Sequence, residues 1–139
     1  MVTSFTKELV SLDKIFDFLN IFSKKVKMNK TVQNQMFMAV EEIFTNMVKY
    51  NKNSGDKIEI SVDWNADLSN LSISLKDFNT EYFSINDTVE YDPELPLGKR
   101  QPGKLGLFLT KKVMDEVIST HEDGNLKVTL LKHLGKIDV

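Results

Sequence analysis

The chain contains no cysteine. That excludes a disulfide framework, a thiolate metal site and a cysteine nucleophile. Histidine is nearly as scarce, with only His121 and His133, which argues against a histidine-rich metal centre. No apolar run approaches the ~18 residues a membrane span requires. The first residues, MVTSFTKELVSLDK, are too polar for a signal peptide. A cytoplasmic protein with no membrane association is the expectation. A basic excess is also missing: the net charge is -2, whereas a dedicated nucleic-acid binder carries a clear positive surplus. Proline is confined to one stretch, at Pro93, Pro96 and Pro102.

What is present reads as one ordinary globular domain over residues 1–139. Hydrophobic residues make up 41% and charged residues 27% of the 139. A chain of this size buries roughly two-thirds of its unfolded surface, so it needs no metal or disulfide staple. No internal repeat, linker or second domain is evident.

Residues 3–9 alternate weakly and suit an edge strand. Ser11 is placed as a helix N-cap, with Asp13 in the first turn where the helix dipole favours it. Ile15, Leu19, Phe22 and Val26 follow at helical spacing. A second helix is expected from about Asn29–Thr31 to Tyr50, with Met36, Val40, Ile43 and Met47 as its apolar stripe. Gly55 suits a left-handed turn after it. Ile58, Ile60, Val62 and Trp64, then Leu71, Ile73 and Leu75, alternate with polar residues, as in strands with one buried face. The short polar connection between them makes an antiparallel hairpin. Residues 79–104 lack periodicity, and a loop that long within a compact domain is usually functional. Residues 105–117 read as a helix burying Leu109, Val113 and Val117. A last hairpin turns around Glu122-Asp123-Gly124-Asn125. This order fits an α+β fold: a two-layer α/β sandwich with a mixed, mostly antiparallel sheet packed on three helices.

Three features carry possible chemistry. Glu42 and Asn46 lie four apart, hence one turn apart on one face of the second helix. Both fall on a flank of the apolar stripe, shared by Gln35 and Lys49. A carboxylate there can act as a general base, and an amide oxygen is a reasonable ligand for Mg²⁺. The bland alternative is a pair of solvated polar residues. Asp77 continues the odd-numbered phase of Leu71, Ile73 and Leu75, so it points to the buried face unless the strand ends at Lys76. A buried aspartate needs a hydrogen-bond donor, and a ligand's exocyclic amine is one candidate. Finally, Gly103-Lys104-Leu105-Gly106-Leu107 directly precedes a helix. Glycine at a helix entry lets backbone N–H groups approach an anion, and Lys104 adds positive charge. A plain tight turn explains the glycines equally well. A P-loop is absent.

Taken together, these motifs resemble the nucleotide site of the GHKL ATPases, the Bergerat fold of gyrases and histidine kinases. The resemblance is closer to the anti-sigma factor serine/threonine kinase branch. Val40-Glu-Glu-Ile-Phe-Thr-Asn46-Met-Val-Lys-Tyr50 resembles the N box, Asp77 stands at the G1 box aspartate, and Gly103-Lys-Leu-Gly106-Leu-Phe-Leu resembles the G2 box. The resemblance implies a Bergerat fold, ATP and Mg²⁺ as cofactors, and a homodimer. It implies Glu42 as catalytic base, Asn46 as Mg²⁺ ligand and Asp77 as acceptor of the adenine amine. Lys49, Asn79, Gly103, Lys104, Leu105, Gly106 and Leu107 would complete the nucleotide-binding set. Residues 83–102 would form a lid, bringing Arg100 and Lys99 toward the γ-phosphate.

One departure is plain. The family's G1 box is usually D-x-G-x-G, whereas this chain has Asp77-Phe-Asn79-Thr-Glu81. Asparagine is among the non-glycine residues that best tolerate a left-handed backbone. The implied function is an anti-sigma kinase that phosphorylates a STAS-type anti-anti-sigma antagonist and sequesters a sigma factor by partner switching. The altered G1 box favours an alternative, a module of the same fold that acts by protein–protein sequestration alone. A detached histidine-kinase catalytic domain ranks last, because no helix pair bearing a phospho-accepting histidine is present.

Overall fold

The computed structural model describes residues 1–50, 55–78 and 104–134. The elements run β1 (Val2–Thr6), a 3-10 turn (Leu9–Ser11), α1 (Leu12–Lys25), α2 (Lys30–Tyr50), β2 (Lys57–Asn65), β3 (Asn70–Asp77), α3 (Lys104–Val113), β4 (Glu116–Glu122) and β5 (Asn125–His133). The five strands form one sheet in the order β1-β2-β3-β5-β4. All four pairings are antiparallel, so no parallel pair occurs among the described strands where a mixed sheet was expected.

Alternation decides which face each strand buries. Ile58, Ile60 and Val62 on β2, Leu71, Ile73 and Leu75 on β3, and Leu126, Val128 and Leu130 on β5 all turn to the helices. The register Ile58↔Asp77 and Ile60↔Leu75 keeps these rows aligned across the sheet. From the helical layer come Ile15, Leu19 and Phe22 on α1, and Met36, Val40, Ile43, Phe44 and Met47 on α2. The apolar stripe expected on α2 is thus the one it buries. Asn29 caps this helix, its side-chain oxygen accepting the Thr31 N–H at 2.8 Å. Asp123 and Gly124 both have positive φ, as a two-residue type I′ turn between β4 and β5 requires.

Four expectations need correction. Ser11 occupies the N-cap position of α1 but makes no side-chain cap bond. Its hydroxyl donates instead to the Thr6 carbonyl at 2.7 Å, because a 3-10 turn leads straight into the helix. Gly55 is not left-handed; Gly124 is the one described glycine with positive φ. Gly55 serves a close approach, since its N–H donates to the Phe78 carbonyl at 2.8 Å and a Cβ there would lie 3.0 Å from that oxygen. The helix α3 ends at Val113, and Val117 belongs to β4. The helix buries Leu107 and Thr110, and Met114 just after it is buried too, whereas Leu109 is exposed. Small residues at 106 and 110 let α3 pack on α2, and that contact sets the phase of the helix.

Candidate functional site

The Glu42–Asn46 pair sits where α2 meets α3. The Asn46 side-chain nitrogen donates to Glu42 Oε1 at 3.2 Å. An ionised carboxylate only accepts hydrogen bonds, so the amide turns its NH₂ to Glu42 and directs its carbonyl oxygen elsewhere. The Glu42 carboxyl lies against the backbone of Gly106. A Cβ added at Gly106 would fall 2.0 Å from the Glu42 carboxyl carbon and 2.1 Å from Oε1. Gly106 therefore makes room for the carboxylate, and only a residue without a side chain fits while Glu42 keeps this rotamer. Thr110, fully buried, donates its hydroxyl to the Gly106 carbonyl at 2.9 Å and secures this first turn of α3. Glycine inside a helix costs up to about 1 kcal/mol relative to alanine. Its placement here trades that stability for the position of Glu42.

Burial pushes the Glu42 carboxyl above its ordinary range. The hydrogen bond from Asn46 and the positive charge of Lys49 pull it back down, and Glu41 adds a smaller upward push. The outcome is a half-buried carboxylate that holds a proton more readily than a solvated one, which suits a general base. Lys49 is exposed in the last turn of α2 and reaches Glu42 through its charge.

Asp77 is the last residue of β3 and completely buried, on the helix-facing side as its phase requires. Its partner was not anticipated: Lys7 Nζ lies 2.8 Å from Asp77 Oδ2. Lys7 follows Thr3 and Phe5 in the odd phase of β1. Phe5 pairs with Ile58, and Ile58 with Asp77, so the phase places Lys7 on the same inner face. The signal was in the sequence, but joining residues 70 apart requires the strand order β1-β2-β3.

Of the expected site residues, Glu42, Asn46 and Gly106 are brought together, with Lys49 close enough for its charge to act. Lys104 and Leu105 lie in the first turn of α3, where backbone N–H groups lack helical partners. Leu107 is a core residue, so only its backbone is placed to meet a ligand. Asn79, Arg100 and Gly103, and with them Lys99, Glu81 and the lid 83–102, lie outside the described residues. A hollow of about 560 Å³ lined by residues including Asp63, Trp64, Asn70 and Ser72 shares no residue with this site.

The donor set fits a nucleotide with its metal in a particular way. No group of three or more His, Cys, Asp or Glu side chains able to hold a metal occurs among the described residues. A bound Mg²⁺ would thus rely on the Asn46 oxygen together with phosphate oxygens, the usual arrangement for this ion. No described helix is long and apolar enough to cross a membrane.

An antiparallel sheet under three helices, with an acid–amide pair on one helix facing a glycine at the start of another, makes this an α+β domain of two layers. The model of the histidine kinase-like ATPase domain matches residues 5–132, and the chain belongs to that family. A serine-protein kinase, RsbW, of Oceanobacillus iheyensis is 28% identical over 106 residues. That match takes in 73% of this chain and 66% of the relative, just under two-thirds of its length. The fold is also that of a crystal structure of the RsbU and RsbW domains of a Mycobacterium tuberculosis protein. The TM-score is 0.66 at 14% identity, covering 96% of this chain and 31% of that one. The resemblance to the anti-sigma kinase branch is in keeping with these relatives.

Proposed function

We propose that the chain binds Mg·ATP and transfers its γ-phosphoryl group to a serine of a STAS-type anti-anti-sigma antagonist, thereby governing which partner holds a sigma factor. The observation that carries this reading is the Glu42 carboxylate seated against Gly106, with Asn46 beside it. Phosphoryl transfer asks little covalent chemistry of a protein; it asks for positioning and charge neutralisation. ATP supplies the phosphoryl group, and ADP leaves as the bond to its bridging oxygen breaks while the serine Oγ–P bond forms. Glu42 takes the proton from the serine hydroxyl. Its raised proton affinity brings it nearer the working pH than a solvated glutamate would be. Asn46 orients Glu42 through its NH₂ and offers its oxygen to Mg²⁺. The first turn of α3 presents backbone N–H groups to the phosphates. Asp77 accepts the amine of adenine. Asn79, Gly103, Lys104 and Arg100 complete the phosphate and base contacts, and the chain works as a cytoplasmic homodimer. Support also comes from the curated relative, a serine-protein kinase.

A second reading is favoured by two observations: the G1 box without glycine and the lysine lying on Asp77. In that reading the domain sequesters its partner without turning over ATP. Incubation with radiolabelled ATP, Mg²⁺ and a STAS-type antagonist separates the two. Label on the antagonist's serine, lost with Glu42→Gln, supports the kinase. No label, with a stable complex still formed with a sigma factor, supports the sequestering module.

A further inference from the structure

The Lys7–Asp77 ion pair is the least expected feature of the inner sheet face. Elsewhere on β2 and β3 the residues buried on that face are apolar: Ile58, Ile60, Val62, Leu71, Ile73 and Leu75. The two side chains are 5% and 0% exposed. Ion pairs buried this deeply are weak stabilising devices, because desolving both charges offsets their attraction; apolar residues of similar volume often serve better. The pair is also held firmly from the lysine side. The Lys7 N–H donates to the Asp56 carbonyl at 2.8 Å, extending the β1–β2 ladder, and Ser11 fastens the Thr6 carbonyl one residue earlier. An ammonium and a nucleobase amine make the same kind of contact, an N–H directed at a carboxylate oxygen. With Asp77 wholly buried and an ammonium at 2.8 Å, no ligand amine reaches Oδ2 unless Lys7 moves.

We propose that Lys7 is a built-in competitor for the base subsite: it occupies Asp77 in the nucleotide-free protein, and an adenine amine binds by displacing it. This rests on the nucleotide reading given above and adds a regulatory residue to it. Binding then becomes an exchange, and apparent affinity is reduced by the fraction of molecules in which the carboxylate is open. The exchange also ties occupancy of the site to the end of β1, since Lys7 lies between that strand and the Leu9–Ser11 turn.

Two measurements test it. In the first, ADP is titrated by calorimetry into the wild type and Lys7→Met, which keeps the apolar stem and removes the ammonium. Removal of a competitor that closes nine-tenths or more of the sites tightens binding about tenfold or more. In the second, Lys7 of the wild type is followed by reductive methylation and peptide mass spectrometry, with and without saturating ADP. This needs no variant to fold. Lys7 should be protected in the free protein and at least several-fold more reactive with ADP. Equal or weaker ADP binding by a folded Lys7→Met, or Lys7 reactivity unchanged by bound ADP, overturns the competitor while leaving the nucleotide reading intact. Absence of ADP binding in both proteins overturns the nucleotide reading itself, and the competitor with it.

Discussion

Glu42 and Asp77 are two carboxylates at the border of one core, held in opposite ways. Glu42 is half-buried, and its partners are local: Asn46 one turn on and Lys49 two turns on, with the Gly106 backbone alongside. Asp77 is sealed, and Lys7 reaches it from the far end of the chain. The helix carboxylate is thus half-exposed and tuned by burial. The sheet side is closed by a charge the protein brings itself. On the proposed nucleotide reading, the first carboxylate serves reactivity and the second serves admission.

The largest expected effect breaks the sheet half. Asp77→Ala leaves Lys7 buried without its carboxylate and should cost about 3–5 kcal/mol in urea unfolding. Replacing both partners, as Lys7→Met with Asp77→Leu, should return stability to wild type or above. If the double variant is as unstable as the single one, the pair is structural after all. On the helix half, Glu42→Gln should leave the fold intact and lower serine phosphorylation about 10²-fold or more, as loss of a general base does. Retention of wild-type turnover would remove Glu42 from the chemistry.

Gly106→Ala sharpens the contrast. The new methyl group meets the end of a flexible side chain rather than backbone, so Glu42 swings away. Unfolding free energy should change by less than about 1 kcal/mol, while transfer falls about 10- to 10²-fold from the misplaced base. A large stability loss with normal transfer would contradict this. The smallest effect concerns pH. Because burial raises the Glu42 proton affinity in the folded state, its contribution to stability is fully present below its ordinary value of 4.5 and is lost as pH rises through the folded value. Glu42→Gln cannot ionise. It should therefore melt higher than wild type at neutral pH, by only about 1–3 °C given the screening of a half-exposed group. The gap should close as pH falls below 4.5. A gap that persists there would mean burial is not the cause.

Much of this was legible in the sequence, and the reasons are local. The stripe Met36–Val40–Ile43–Met47 and the alternation of β2 and β3 fix their own buried faces, so Glu42, Asn46 and Asp77 could be placed from phase alone. The phase of α3 could not, because it depends on a glycine meeting a side chain from another helix. Glycine in a helix entry reads as an anion cradle; that it also makes space for Glu42 is a property of the α2–α3 contact. Lys7 was missed for a similar reason. Its odd position just past the end of β1 is a weak local signal, and only the register through Ile58 joins it to Asp77.

In the proposed kinase, the Glu42–Asn46–Gly106 corner receives the metal and phosphate end of ATP. The most direct measurement is a calorimetric titration of ATP with and without Mg²⁺, on the wild type and on Asn46→Ala. The wild type should bind more tightly with Mg²⁺, and Asn46→Ala should lose that gain while still binding the metal-free nucleotide. Full Mg²⁺ dependence in Asn46→Ala, or no nucleotide binding by the wild type, would contradict the account.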